Sequence, residues 1–454
     1  MRSFLLLTLA VAVLSLVQGG GILTKGERRP SCWPWQRGVV VKGDCTFRID
    51  GDLNDPAPLF TLPGKADWLV PNPKGIVELK NGQSIDMHCN QSFVAPFVNA
   101  THLTVQSLQG QYFLVDGLIY PFVNFSCSNW PVSTARRTGR NCSGGTDLLE
   151  VGYETKNGFL QLMDICHDEV NEATRYVHHV LHPSSAAYQR GVVRPRFIEG
   201  DFYAGKNVDK IYTKVQQNIT FSQILHMDAS PLFNDSINVY LARGHMAAKV
   251  DFIFGAAQRA TFYFVNVAPQ WQSFNAGNWE RVENGVRNFV ANNSLTVDCY
   301  TGTWGVSTLP DVDGKPQQLY LDFDENNNGL IPVPMLYFRV VIDRATQKGI
   351  VLVGVNNPHA SKAQILKDYV ICTDIGHQID WIPWAKEDLH KGYSYACSVP
   401  DFLAVVEDLP HELLNTTGIL GLKEDLVVTT TSKNLGIASD YSIPASLVIP
   451  PTLD

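Results

Sequence analysis

The segment Leu241-Ala242-Arg243-Gly244-His245-Met246-Ala247-Ala248-Lys249 follows a β-type run and ends it in what reads as a glycine turn. A cation, a permissive backbone position and a titratable imidazole fall within three residues. Arg243 can hold an anion while His245 addresses an adjacent atom. Taken alone, such a triplet is an ordinary turn. The continuation adds meaning. Tyr263-Phe264-Val265-Asn266-Val267-Ala268-Pro269-Gln270 reads as a strand running into a polar loop, and a helix begins at Asn275. In that helix Trp279, Val282, Val286, Phe289 and Val290 keep the three-and-four spacing of one apolar stripe, so this face packs on a sheet. Glu283 lies two turns beyond Asn275, beside the stripe. An amide oxygen and a carboxylate so placed suit a hard cation, although spacing alone makes Asn275 a helix N-cap.

Further strand-like segments recur at Ile237 to Ala242, Thr261 to Val267, Leu336 to Ile342 and Ile350 to Val355, and a first helix is expected from about Asp168 to Leu181. Strands and helices mixed without regular alternation indicate an α+β fold. Upstream, from 20 to 140, short β runs (Arg37 to Lys42, Trp68 to Val70, Ile76 to Leu79, His102 to Leu108, Tyr112 to Val115) alternate with Gly, Pro, Asn and Asp. They predict a small, disulfide-bearing β-rich module or propeptide. Ser133 to Arg140 then reads as an exposed linker.

The ordered set Arg-Gly-His, Asn-x-x-Pro-Gln and Asn-x-Gly-x-Trp-x-x-x-Glu resembles the DNA/RNA non-specific endonucleases of the ββα-metal (His-Me finger) superfamily. The arthropod secreted and gut branch, which includes enzymes that degrade double-stranded RNA, looks closest. The resemblance covers roughly Leu148 to Gly421, so the nuclease domain is expected over 148–421 with a tail over 422–454. It implies a ββα-metal core with mixed β-sheet and packed helices. It also implies roles: His245 as general base, Asn275 as the single protein ligand to Mg²⁺ (with Mn²⁺ able to substitute), and Glu283 as the carboxylate that hydrogen-bonds the metal's waters. Arg243 and Arg196 match arginines that stabilise the transition state, with Arg194 two residues from the latter, and Asn266 and Gln270 match positions that brace the site. Where the family often has Asp before Arg-Gly-His, this chain has Ala242. Imidazole with an ordinary pKa of about 6.5 is competent to deprotonate water at neutral pH. Arginine forks fit phosphate oxygens, and nothing in the set reads a base edge or requires a 2′-hydroxyl, so DNA and RNA are both expected substrates.

The chain has 454 residues, 45% of them hydrophobic and 18% charged, and a formal charge of −8. This excludes a disordered or fibrous protein and makes any anion-binding face a local basic patch on an acidic body. Arg2, the apolar run Phe4 to Val17 and Val17-Gln18-Gly19 read as a signal peptide over 1–19, too short to span a bilayer. Sequons at Asn90, Asn99, Asn124, Asn141, Asn218, Asn234, Asn292 and Asn415 agree with secretion, and since no later stretch approaches about 18 uninterrupted apolar residues no membrane partner is expected. Nine cysteines without C-x-x-C spacing predict disulfides, most of them within the first 170 residues, with Cys372 and Cys397 as a plausible pair and one thiol left over.

Other constellations compete. His178 and His182, four apart on the expected first helix, give a zinc-hydrolase reading, though no Glu completes an H-E-x-x-H site. Asp322 to Gly329 resembles a calcium loop but lacks its glycine and final carboxylate, and reads better as a polar hairpin loop. Arg136, Arg137, Arg140, Arg190 and Arg194 are candidates for a phosphate track. The rival function from another class is a secreted nucleic-acid-binding protein on the same fold without catalysis.

Overall fold

The computed structural model describes residues 43–423. The expected signal peptide, Cys32, the Arg37 to Lys42 run and nearly all of the C-terminal tail lie outside these residues. The first sheet contains Leu59–Thr61 (β1), Ser84–His88 (β2), His102–Ser107 (β3), Tyr112–Val115 (β4) and Leu118–Pro121 (β5), in that spatial order. The Cys89–Cys127 disulfide staples it. Of the expected β runs, Trp68 contributes only an isolated bridge to Thr61.

The second sheet is larger. Its strands are Thr134–Asn141 (β6), Asp147–Thr155 (β7), Gly158–Asp168 (β8) and Ala173–Leu181 (β9), followed after an insertion by Val297–Val306 (β12), Pro334–Asp343 (β13), Lys348–Val355 (β14) and Ser394–Cys397 (β15). The spatial order β15-β14-β13-β12-β9-β8-β7-β6 is antiparallel throughout, and Gly418–Ile419 adds a short parallel pairing to β14. Both faces of its centre are covered. Ile350 and Leu352 enter one core while Val351, Val353 and Val355 enter the other. This two-sided burial is why β13 and β14 read as continuous apolar runs.

Two expectations fail here. The segment read as a helix from about Asp168 to Leu181 holds the end of β8, a turn and strand β9. Its i, i+3, i+4 apolar positions are overruled by β-branched Thr174, Val177 and Val180 and by pairing on both sides, with β8 and β12. The expected linker at Ser133 to Arg140 is edge strand β6, where Arg136 stands directly opposite Glu150 and is ion-paired to it and to Glu154.

The insertion between β9 and β12 carries Leu241–His245 (β10) and Val267–Trp271 (β11), an antiparallel pair in which His245 faces Val267. The chain then turns into a helical stretch ending in Glu280–Asn292 (α3), preceded in sequence by the helices Val208–Ile211 (α1) and Lys214–Leu225 (α2). The strands begin later than the sequence suggested. Residues 235–237 and 264–266 are 3-10 turns, so Asn266 precedes β11 while Pro269 and Gln270 lie within it. The stripe of α3 is buried as expected, with Trp279 against Tyr337 of β13 at 5.5 Å between ring centroids. The first sheet shares this core: Phe60 packs on Phe254 and Trp68 on Tyr153.

Cys142–Cys166 and Cys372–Cys397 complete the disulfides among the described residues, and the second of these is the pair expected from sequence. Among the described residues Cys45 and Cys299 are buried and unpaired, and Cys32 lies outside them.

Candidate active site

Strand β10, helix α3 and the loop before α1 surround a cleft of about 550 Å³. Its lining includes Arg194, Arg243, His245, Lys249, Asn275, Glu283 and Arg287. The sequence-predicted base, ligand, carboxylate and Arg243 therefore meet in one place. Arg196 is exposed and is not part of the lining, whereas Arg194 is.

Gly244 is not a turn residue. It sits inside β10 with no positive φ, and a Cβ there would lie 2.4 Å from Gln270 Oε1 and 2.7 Å from the Tyr337 hydroxyl. Glycine is needed because β10 is pressed against Gln270 and Tyr337, and this contact sets the depth of His245. Beyond β10, the wholly buried Asn266 accepts from Ala247 N at 3.0 Å and donates to Ala247 O and Thr261 O. It thus fixes the chain two residues past His245. Gln270 is equally buried, braces Gly244 by contact, and makes no side-chain hydrogen bond.

The His245 ring lies between Phe197 and Phe262, at 5.4 and 5.0 Å between centroids. Burial, with the nearby Arg194 and Lys249 cations, pushes its pKa down to about 3 despite a hydrogen bond to the Arg243 backbone. Its Nε2 has no hydrogen-bond partner. The result is an imidazole whose unpartnered Nε2 is itself buried at the cleft wall, and which stays neutral far below the ordinary histidine range.

Arg243 is held without the missing Asp. Its Nη2 donates to Asp209 Oδ1 at 2.8 Å and to Asp209 O at 3.1 Å, while Phe197, Tyr212 and Phe264 rings lie under its guanidinium. Asp209 is on α1, 34 residues before Arg243 in sequence.

Asn275 caps no helix with its side chain. It has helical dihedrals, and its Nδ2 donates to Gln272 Oε1 at 3.0 Å, which fixes the amide's orientation. Two residues later the backbone leaves helical geometry at Gly277, where a Cβ would strike the Lys391 carbonyl at 2.8 Å. Asn278 locks the same junction through Ala385 and Gly392. One turn on, burial pushes the Glu283 carboxyl up to about 7 against the opposing charge of Arg287.

Behind the cleft, Asp251 receives Arg287, Arg339 and His179. Burial alone would raise its carboxyl, but the two guanidiniums overrule that and hold it well below the usual range. Arg287 and Lys249 had no place in the sequence reading. The signal for Arg287 was its i+4 spacing from Glu283 on α3.

The rival constellations resolve differently. His178 is on β9, where Asp164 and Asp298 bond its two ring nitrogens, so neither nitrogen is free for zinc. Asp324 folds the 324–328 loop by accepting from Asn326 and Asn328, as a polar hairpin loop does. The arginine track is largely committed elsewhere, with Arg137 on Glu169 and Asp201 and Arg190 near Asp50.

A family model described as DNA/RNA non-specific endonuclease matches residues 144–402. The chain belongs to this family. Among similar relatives, a salivary endonuclease of Lutzomyia longipalpis is 31% identical over 63% of this chain and 67% of its own length. The salivary protein Tsal2A of Glossina morsitans morsitans is 24% identical over 83% of this chain and 95% of its own. A crystal structure of an EndoG/EndoGI complex is 22% identical over 43% of this chain and 71% of its own, with a TM-score of 0.30. For a non-specific endonuclease, a cleft lined by a neutral histidine, an oriented amide and several cations has suitable chemistry.

Proposed function

We propose that this chain is a secreted, sugar-non-specific endonuclease that hydrolyses phosphodiester bonds of DNA and RNA, double-stranded RNA included, with Mg²⁺ as its cofactor. The observation that carries the reading is the neutral His245, its buried Nε2 without a hydrogen-bond partner, lining the same cleft as Asn275 and Glu283.

Arg194, Arg243 and Lys249 hold the phosphate by charge, and the guanidinium forks match the charge that builds as the phosphorus becomes five-coordinate. His245 Nε2 takes a proton from water as the water oxygen bonds to phosphorus. The ester bond to the leaving oxygen then breaks, and that oxygen takes a proton from solvent. Asn275, its amide nitrogen tied to Gln272, has its oxygen available to a hard cation, and Glu283 adds a carboxylate beside it. Mg²⁺ held there would supply positive charge at the phosphate and the leaving oxygen. Arg194, as a cleft residue, takes the part that the sequence resemblance gave to Arg196. Three disulfides among the described residues fit an oxidising, extracellular destination.

The test is cleavage of plasmid DNA and duplex RNA by the purified chain with Mg²⁺ or with EDTA. Cleavage of both only with Mg²⁺, lost by roughly two to four orders of magnitude in a folded His245→Ala variant, supports the reading. Binding without cleavage under every condition would favour the non-catalytic rival.

A further inference from the structure

Away from the cleft, strands β2 and β3 bring a second set of chemistry-bearing side chains together. His88 and His102 stand directly opposite each other in the antiparallel register, and Asp86 lies two residues before His88 on the same face. The three residues each offer a ligand atom, all within 4.8 Å of one another. His102 Nε2 lies 3.6 Å from Asp86 Oδ2. For zinc bonds of about 2.0–2.1 Å, ligand atoms at tetrahedral corners are separated by roughly 3.3 Å, so the pair is close to a coordination edge.

We propose that Asp86, His88 and His102 form a Zn²⁺ site that clamps strands β2 and β3 of the first sheet together. Apart from the carboxylate, His102 Nε2 is a buried atom with no hydrogen-bond partner, a costly arrangement that a metal bond would relieve. The two imidazole ring centroids lie 4.9 Å apart, within reach of one cation. The second shell is already built. Thr104 Oγ1 donates to Asp86 Oδ1, while Gly64 N and Asn157 Nδ2 donate to Oδ2, and Thr61 bonds His88. Asn157 belongs to the turn between β7 and β8 of the second sheet, so its hydrogen bond fixes the Asp86 carboxylate from outside the first sheet. Water completes a three-ligand zinc site.

The probe is Zn²⁺ itself, added to the full chain after chelator treatment and removal of the chelator. Expected are one saturable Zn²⁺ equivalent that survives Asn275→Ala, a higher melting temperature with Zn²⁺, and a tetrahedral Co²⁺ absorption spectrum when cobalt replaces it. His102→Gln, at the least buried of the three ligands, should abolish that equivalent while remaining folded. Absence of Zn²⁺ uptake by the folded parent would overturn the proposal, as would uptake unchanged in His102→Gln. Uptake lost in Asn275→Ala but kept in His102→Gln would assign the metal to the cleft and also overturn it.

Discussion

Asp209 reaches Arg243 across 34 residues of sequence and holds its Nη2 by both carboxylate and carbonyl, at 2.8 and 3.1 Å. With Ala242 where the family often carries Asp, the carboxylate that bonds Arg243 comes instead from helix α1. Because Asp209 is well exposed, its value is in aiming Arg243 and not in stabilising the fold.

Asp209→Asn should therefore leave the melting temperature unchanged and lower turnover by less than Arg243→Ala does. Losing a donor to the developing charge typically costs about a hundredfold or more. The double variant should be no slower than Arg243→Ala alone, since both changes act on one side chain. Turnover measured on the four proteins checks this, and additive losses would mean that Asp209 acts independently of Arg243.

Gly244→Ala should destabilise the protein by about 1–3 kcal/mol, as overpacking usually does. The new methyl group would meet Gln270 and the Tyr337 hydroxyl. Displacement of β10 carries His245 with it, so turnover should fall in the fraction that remains folded. Thermal melting and single-turnover cleavage on one preparation measure both effects, and a variant with parental stability would show that β10 has room to move.

The glycine also marks the limit of what the sequence made legible. His245, Asn275 and Glu283 were readable because the ββα unit is local: a strand, its partner and a helix within about fifty residues. Gly244 was read as a turn because its real constraint, Tyr337, arrives from a distant strand. The same applies to Asp209, and to the pairing of His88 with His102, where an Asp-x-His alternation gains meaning only from the register. The strands β13 and β14 were legible because burial on both faces leaves an uninterrupted apolar run. Strand β9 was not, since three-and-four spacing of a few apolar residues fits a helix until its pairing with β8 and β12 is known. Arg196 and Arg194 are separated only by Pro195, and no local pattern distinguishes the one in the cleft.

Acid should weaken the fold before it changes the base. His245 at about 3, and His88 and His167 at about 4, stay neutral in the folded protein, while the unfolded chain takes up protons below about 6.5. Stability should therefore fall as pH drops from about 6.5 toward 4. His178 runs the other way: the hydrogen bonds of Asp164 and Asp298 outweigh burial and push it up to about 9, so its contribution is lost as pH rises through that value. For activity, the parent rate should show no rise through pH 6.5 assignable to His245. Initial rates over the range in which melting shows the protein folded check this, and a unit slope in log rate up to neutrality that persists in Glu283→Gln, which removes the carboxyl pushed up to about 7, would place the base's titration at the ordinary value.

Arg194 and Arg196 give the last comparison. Arg194 lines the cleft and acts electrostatically on His245, while Arg196 is exposed and not among the lining residues. Arg194→Ala should thus slow turnover more than it weakens binding, because the charge it answers is greatest in the transition state. It should also let the His245 pKa rise, since a nearby cation has been removed. Arg196→Ala should keep turnover and at most flatten the salt dependence of binding, as loss of one peripheral phosphate contact does. Turnover, binding and a salt series on the two variants separate the roles. Equal losses of turnover would mean that both arginines reach the phosphate once substrate is bound, and a loss confined to Arg196→Ala would restore the role that the sequence alone suggested.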